Sequence, residues 1–258
     1  MAAQPWSSKT GEERGNMLNK ILRKSQQGLN QILGSICVLC HEKIHASSLG
    51  VCGACQKCLT FTEDVCPLCA RGSFDSQPCG QCQQKQTPLT QCFASYDYAF
   101  PLAGLVQAFK YQKKLMLAHA LGQLMQERPP PFIEMDFQHV LAVPISAAKW
   151  RMRGFNQSEE LAKSIARHWQ IPLISSHLCD RVDTPSQSLL NESQRIKNVQ
   201  GVFSFNRVKF NADQGKILLI DDVLTTCATV SEMAAQLKHH GRFEVYVWAL
   251  LKKQIVKI

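Results

Sequence analysis

The chain has 258 residues, 45% of them hydrophobic and 19% charged, which suits a soluble globular protein with one well-buried domain and a smaller module. No run approaches the roughly 18 apolar residues of a membrane span, so no transmembrane helix is expected. A net charge of +9 favours polyanionic partners, whether nucleic acid, phosphorylated metabolites or an anionic membrane surface, without choosing among them.

Met1 to Gly15 is polar, and the apolar residues that follow are interrupted by Arg23, Lys24 and Gln26, so no signal peptide is expected. The expected location is the cytoplasm, where paired cysteines serve as metal ligands rather than disulfides. From Met17 to Leu33, Leu18, Ile21, Leu22, Leu29, Ile32 and Leu33 recur at helical spacing with Lys20, Arg23 and Lys24 on other faces. This is a basic amphipathic helix, which docks on its own protein or touches a membrane or DNA. Because the pattern starts at Met17, an upstream start codon would account for residues 1–16.

Four Cys-x2-Cys knuckles follow, Cys37/Cys40, Cys52/Cys55, Cys66/Cys69 and Cys79/Cys82. Each can hold one side of a tetrahedral zinc ion through thiolates, and two knuckles close one site. Sequential pairing gives two tandem zinc ribbons and alternate pairing a cross-brace. The short loops, with turn residues Gly50, Gly53, Gly72, Pro78 and Gly80, suit sequential ribbons. Cys58 is a spare thiol or a substitute for Cys55. Closed four-thiolate sites leave no position for substrate, so both zinc ions are structural and supply the folding energy that so small a segment lacks.

After Cys92 the pattern turns aliphatic, which places a domain boundary near Gln91 and divides the chain into an extension over 1–33, a double ribbon over 34–91 and a larger domain over 92–258. Phe93 to Phe100 reads as a strand, Leu102 to Tyr111 as a helix ending near the basic cluster Lys110, Lys113 and Lys114, and Leu115 to Gln126 as a second helix, stopped by Pro129, Pro130 and Pro131. Lys110 and Tyr111 either line a phosphate or DNA path or, for the lysine, complement the helix dipole.

Val140 to Val143 is a buried strand ended by Pro144. It leads to Lys149, Arg151, Arg153, Gly154, Phe155, Asn156 and Gln157 ahead of a helix over Ser158 to Trp169. Open α/β sheets bind ligands at the C-terminal ends of their strands. Arginine there can bind phosphate oxygens bidentately and Gly154 permits close backbone approach, so Arg151, Arg153 and Gly154 are assigned to a pyrophosphate. The polar segment Asp183 to Asn198 reads either as a mobile lid or as a plain surface loop.

The stretch Lys216 to Thr229, KILLIDDVLTTCAT, organises the domain. Ile217, Leu218, Leu219 and Ile220 make a strand buried on both faces. Asp221 and Asp222 then leave the sheet, and Thr229 with Glu232 forms a capping box that opens a helix over Val230 to His240. Unpaired N–H groups and the dipole make that helix start a phosphate site, with Thr225, Thr226, Cys227, Ala228 and Thr229 as its loop. The two carboxylates can accept bonds from vicinal hydroxyls, and a phosphate with a diol is a ribose 5-phosphate. The stretch closely resembles the 5-phosphoribosyl 1-pyrophosphate (PRPP) motif of type I phosphoribosyltransferases, except that Cys227 stands where that motif has glycine. Phe243 to Leu250 forms a final strand.

RMRGFNQSEELA, TPSQSLLNESQRIKNVQGVF and LLIDDVLTTCAT, behind four knuckles and in this order, resemble the ComF/GntX family from about Cys37 to the C-terminus. The resemblance implies an α/β fold, a type I phosphoribosyltransferase-like parallel sheet preceded by a double zinc ribbon. It also implies a role with incoming single-stranded DNA during natural transformation, in company with DNA-uptake proteins, or in using DNA as a nutrient. Two functions follow. In one, ribbons and basic surface hold single-stranded DNA while the phosphoribosyl site binds PRPP or a related ligand. In the other, the protein is a working transferase: Asp221 and Asp222 hold the ribose, Thr225 to Thr229 the 5-phosphate, Arg151 and Arg153 the leaving pyrophosphate, with Mg2+ bridging. No residue stands out as general acid or base and no segment as a base-recognition hood, so no catalytic residue is assigned.

Overall fold

The computed structural model describes residues 35–44, 50–84, 86–112, 114–175, 179–182, 201–205 and 213–254. The expected helix over 17–33 and the lid or loop over 183–198 lie outside the described residues. The chain divides into two compact units, Met1–Gln56 and Lys57–Ile258.

In the first unit, β1 (Ser35–Ile36) pairs antiparallel with β2 (Lys43–Ile44) around the knuckle of Cys37 and Cys40. His41 closes that turn with a left-handed φ of 63°. The short helix α1 (Gly53–Gln56) carries Cys55 next to Cys52. Such brief elements bury almost no apolar area, so the sulfur cluster between them is the organising feature.

The second unit begins with the other pair of knuckles. The turn around Cys66 and Cys69 is closed by a bridge between Val65 and Gly72, and α2 (Gly80–Gln84) carries Cys82. Beyond these lie β3 (Gln91–Asp97), α3 (Leu102–Tyr111), α4 (Leu117–Glu127), β4 (His139–Ala142), α5 (Ala147–Arg153), α6 (Gln157–Trp169) and β5 (Leu173–Ile174). A small antiparallel pair follows, β6 (Cys179–Arg181) with β7 (Phe203–Phe205), then β8 (Gln214–Leu224), α7 (Ala228–His240) and β9 (Arg242–Lys252).

Five of these strands form one parallel sheet in the order β3-β9-β8-β4-β5. Ile217 to Ile220 in β8 and Val247 to Leu251 in β9 are fully buried, as expected of central parallel strands covered on both faces. Leu141, Ile217, Leu219, Val245 and Val247 share one core cluster with Val230, Met233, Ala234 and Leu237 of α7. The alternate residues are equally buried outside that cluster, and one of them, Trp248, meets Trp169 of α6 edge-on at 5.3 Å. The second cysteine cluster belongs to the α7 side, because Cys66, Cys69 and Ala70 pack there with Cys92 and Cys227.

β3 ends three residues before the expected Phe100, because its partner β9 runs out at Lys252, which stands opposite Asp97. β8 runs longer than expected. Asp221 and Asp222 do not leave the sheet: they lie inside β8, with Asp221 opposite Ala249 and pairing continuing to Leu224 opposite Lys252. The chain leaves β4 toward β5 at one edge and β8 toward β9 on the other side. Their adjacent C-terminal ends therefore form a topological switch point, where open α/β sheets bind ligands.

Candidate functional site

The eight knuckle cysteines gather as two sets, Cys37/Cys40/Cys52/Cys55 and Cys66/Cys69/Cys79/Cys82, each with its sulfurs within 4.8 Å of one another. Pairing is thus sequential, and Cys58 belongs to neither set. Backbone N–H groups already point at the sulfurs, from Cys52 to Cys37 Sγ at 3.3 Å and from Cys79 to Cys66 Sγ at 3.3 Å. The thiol pKa values of each set are pushed apart: the neighbouring Cys52 pushes the Cys55 thiol up and burial pushes the Cys69 thiol up, whereas burial is outweighed by hydrogen bonds that hold Cys37 and Cys79 below the ordinary thiol value. Four thiolates at this spacing need a cation among them, so the donor sets fit a tetrahedral metal that leaves no open position.

At the switch point, α6 is tied to the end of β4. Asn156, its N-cap, accepts from Ser158 N–H at 3.2 Å and donates through Nδ2 to Val143 O at 3.0 Å. This holds Ser158 where its hydroxyl donates to Asp221 Oδ1 at 3.0 Å, and the same oxygen accepts the Asp222 N–H at 2.9 Å. The end of α3 reaches in as well, its Lys110 Nζ 2.8 Å from Asp222 Oδ2. Burial first, and then the charge of Asp222, pushes the Asp221 carboxyl up to about 7, while Lys110 opposes the rise.

The loop after β8 turns left-handed at Cys227, whose φ of 61° and ψ of 6° keep the glycine conformation. Cys227 is the N-cap of α7, so the expected capping box does not form. Thr229 lies inside the helix, and Glu232 accepts instead from Gly201 N–H at 2.8 Å and from Gln236 at 3.2 Å. Thr226 Oγ1 accepts from Ala228 N–H at 3.4 Å. The Cys227 thiol donates to Cys69 O at 3.1 Å, and Lys252 Nζ lies 3.6 Å from its sulfur and donates to Thr225 O at 2.7 Å.

A cavity of about 190 Å³ opens here, lined by Lys110, Asp221, Thr225, Cys227, Ala228 and Thr229 among others. Carboxylate, cation, hydroxyls and the start of a thirteen-residue helix thus meet in one crevice. Arg151, Arg153 and Gly154 lie outside its lining. They sit at the end of α5, where Gly154 takes a left-handed φ of 85°. Arg151 is exposed. Arg153 donates to Gln157 Oε1 at 2.8 Å, with its guanidinium 5.3 Å from the Tyr111 ring centroid. Ser146 Oγ, Arg153 Nε and Gln157 Nε2 are buried without a hydrogen-bond partner among the described residues. Such donors are rarely left orphaned unless water, an ion or a ligand completes them.

Two side chains of this site, Ser158 and Lys252, escaped the sequence reading, and the role of a third, Lys110, was left open. Ser158 carries a signal, since it follows an N-cap asparagine in the basic stretch. Lys110 was open to either role, and its carboxylate partner is 112 positions on. Lys252 carries no signal, because a cation at the end of a strand usually faces solvent.

No family model matches the chain. It is 31% identical to DNA utilization protein YhgH of Salmonella typhimurium over 225 residues, covering 84% of this chain and 96% of the relative. With Competence protein F of Haemophilus influenzae it shares 25% over 222 residues, again 84% and 96% of the two chains. With Competence protein ComFC of Streptococcus pneumoniae it shares 24% over 192 residues, 74% and 81%. Among solved structures, adenine phosphoribosyltransferase of Leishmania tarentolae matches at a TM-score of 0.34 and 14% identity, covering 56% of this chain and 74% of the other. Among the described residues no helix is long and apolar enough to cross a membrane.

Proposed function

The chain belongs to the ComF/GntX family, and on that premise we propose that it binds PRPP or a related phosphoribosyl ligand between the ends of β4 and β8 while handling single-stranded DNA. One observation carries the reading. Asp221, at the end of a buried strand and next to the buried Asp222, shares a crevice with a left-handed loop and the N-terminus of α7. Asp221 and Asp222 accept from the ribose hydroxyls. The N–H groups of Thr225 to Thr229 and the helix dipole take the 5-phosphate. The orphan donors Ser146 Oγ, Arg153 Nε and Gln157 Nε2, with Arg151 and Gly154 beside them, suit the pyrophosphate end. Lys110 would exchange Asp222 for ligand oxygens.

Both cysteine sets would hold zinc, which supplies folding energy rather than chemistry. A reducing cytoplasm keeps those thiols available to metal. The net charge of +9 and the names of the relatives support a single-stranded DNA partner, in company with proteins of DNA uptake. Calorimetric titration of the metal-replete protein with PRPP and magnesium, beside a short single-stranded oligonucleotide at two salt concentrations, tests both halves. Saturable PRPP heat that disappears in Asp221→Asn with Asp222→Asn, and DNA binding that weakens with salt, are expected. No PRPP heat in the folded wild-type protein would overturn the phosphoribosyl reading. Release of pyrophosphate on addition of a nucleobase would instead identify a working transferase.

A further inference from the structure

Cys227 and Lys252 pose a physical problem that the ligand site alone does not explain. A residue with a Cβ rarely takes φ near +61°, yet Cys227 does so at the hinge of the anion loop and is only 5% exposed. Lysine is almost never fully buried unless something compensates its charge, yet Lys252 is 2% exposed. The strand register solves both. Lys252 is the last residue of β9 and stands opposite Leu224, the last residue of β8, so its side chain starts directly beneath the loop. Its Nζ donates to Thr225 O at 2.7 Å and reaches Cys227 Sγ at 3.6 Å, two points on either side of Thr226. The sulfur is held from the other side by Cys69 O at 3.1 Å.

We propose that Cys227 and Lys252 form a buried anchor that holds the anion loop in the conformation glycine would adopt unaided, making Lys252 a positioning residue for a phosphate monoester. The inference rests on reading this loop as an anion site. The lysine clamps one carbonyl and one sulfur of the loop. That keeps the loop from relaxing to a right-handed turn, which would rotate the N–H groups ahead of α7 away from the crevice. It also fixes a positive charge under the loop, where an incoming phosphate dianion profits from it. Cysteine fits because its side chain reaches both anchors, whereas alanine would suffer the strain with no compensation.

The test uses full-length, metal-replete Cys227→Ala, Cys227→Gly, Lys252→Met and the Cys227→Gly/Lys252→Met double variant. Folding is checked by circular dichroism. Two readouts apply: PRPP affinity, and amide hydrogen exchange in the peptide spanning Leu224 to Val230. Cys227→Ala and Lys252→Met should each speed exchange and weaken PRPP about tenfold, while Cys227→Gly stays within about threefold of wild type. In the glycine background, Lys252→Met should cost no more than about threefold, because glycine needs no anchor and only the lysine's charge is then lost. Equal behaviour of Cys227→Ala and Cys227→Gly, or an equal Lys252→Met penalty in both backgrounds, overturns the anchor. The exchange readout needs no ligand. Wild-type protein that binds no PRPP but shows this exchange pattern would refute the phosphoribosyl reading and leave the anchor standing.

Discussion

Replacing Asp221 with asparagine should stabilise the ligand-free protein at alkaline pH while removing PRPP binding. Asp221 Oδ1 accepts from Ser158 at 3.0 Å and from Asp222 N–H at 2.9 Å, two bonds that an asparagine oxygen keeps. What the substitution removes is a charge that burial and Asp222 disfavour, seen in a carboxyl raised from 3.8 to about 7. The folded state therefore holds this proton more tightly than the unfolded chain does. Its contribution to stability is fully present below pH 3.8 and is lost as pH rises through about 7. Three units at about 1.4 kcal/mol each set a ceiling on the order of 4 kcal/mol. Partial solvent access at Asp221 reduces the expected gain to about 2 kcal/mol at pH 8. Urea unfolding of both proteins from about pH 4 to 8.5 measures it. The midpoint difference should be near zero at the acid end and grow through neutrality. A variant that is less stable than wild type at pH 8, or whose gain does not change with pH, would refute the reasoning.

The partner of that pair gives the opposite sign. Lys110→Met leaves Asp222 without the cation now at 2.8 Å and should destabilise the protein at pH 7 by about 1–3 kcal/mol, less so when Asp221→Asn is also present; the same urea titration reads it. Gly122→Ala puts a Cβ 2.5 Å from Ser164 Oγ where α4 crosses α6, so thermal unfolding should show a loss of about 1–3 kcal/mol that Ser164→Gly partly restores. Metal analysis by mass spectrometry should find two ions per chain in wild type and in Cys58→Ser. Only one is expected in Cys79→Ser, where the loop around Cys69 should also lose order.

Local chemistry made much of this protein legible before folding was considered. Cys-x2-Cys spacing identifies a metal knuckle because two thiolates three residues apart fit one side of a tetrahedron, and short loops join neighbouring knuckles, so both clusters and their pairing could be read. A continuous apolar run marked β8, alternating apolar residues marked β9, and aliphatic patterning marked α3 over Leu102–Tyr111. The loop after β8 was recognisable because its acids, threonines and helix start lie within one short stretch, each with a local physical reason to be there.

Contacts between distant segments were not written in any local pattern. The strand boundary at the two acids depended on how far β9 runs alongside β8, which placed Asp221 opposite Ala249 rather than beyond the sheet. The helix starts at Ala228 because the left-handed Cys227, in contact with Lys252 and Cys69, ends the loop before Thr229 could act as N-cap with Glu232. Lys110 on Asp222 joins residues 112 positions apart, and the second cysteine cluster lies in the same core as α7. By itself the sequence determined which residues can ligate a metal and which acids and threonines gather at the end of one buried strand, since side-chain chemistry and short spacing are local. Only the tertiary structure decided which charges face each other and what supports the loop, because register and burial are settled by the whole sheet at once.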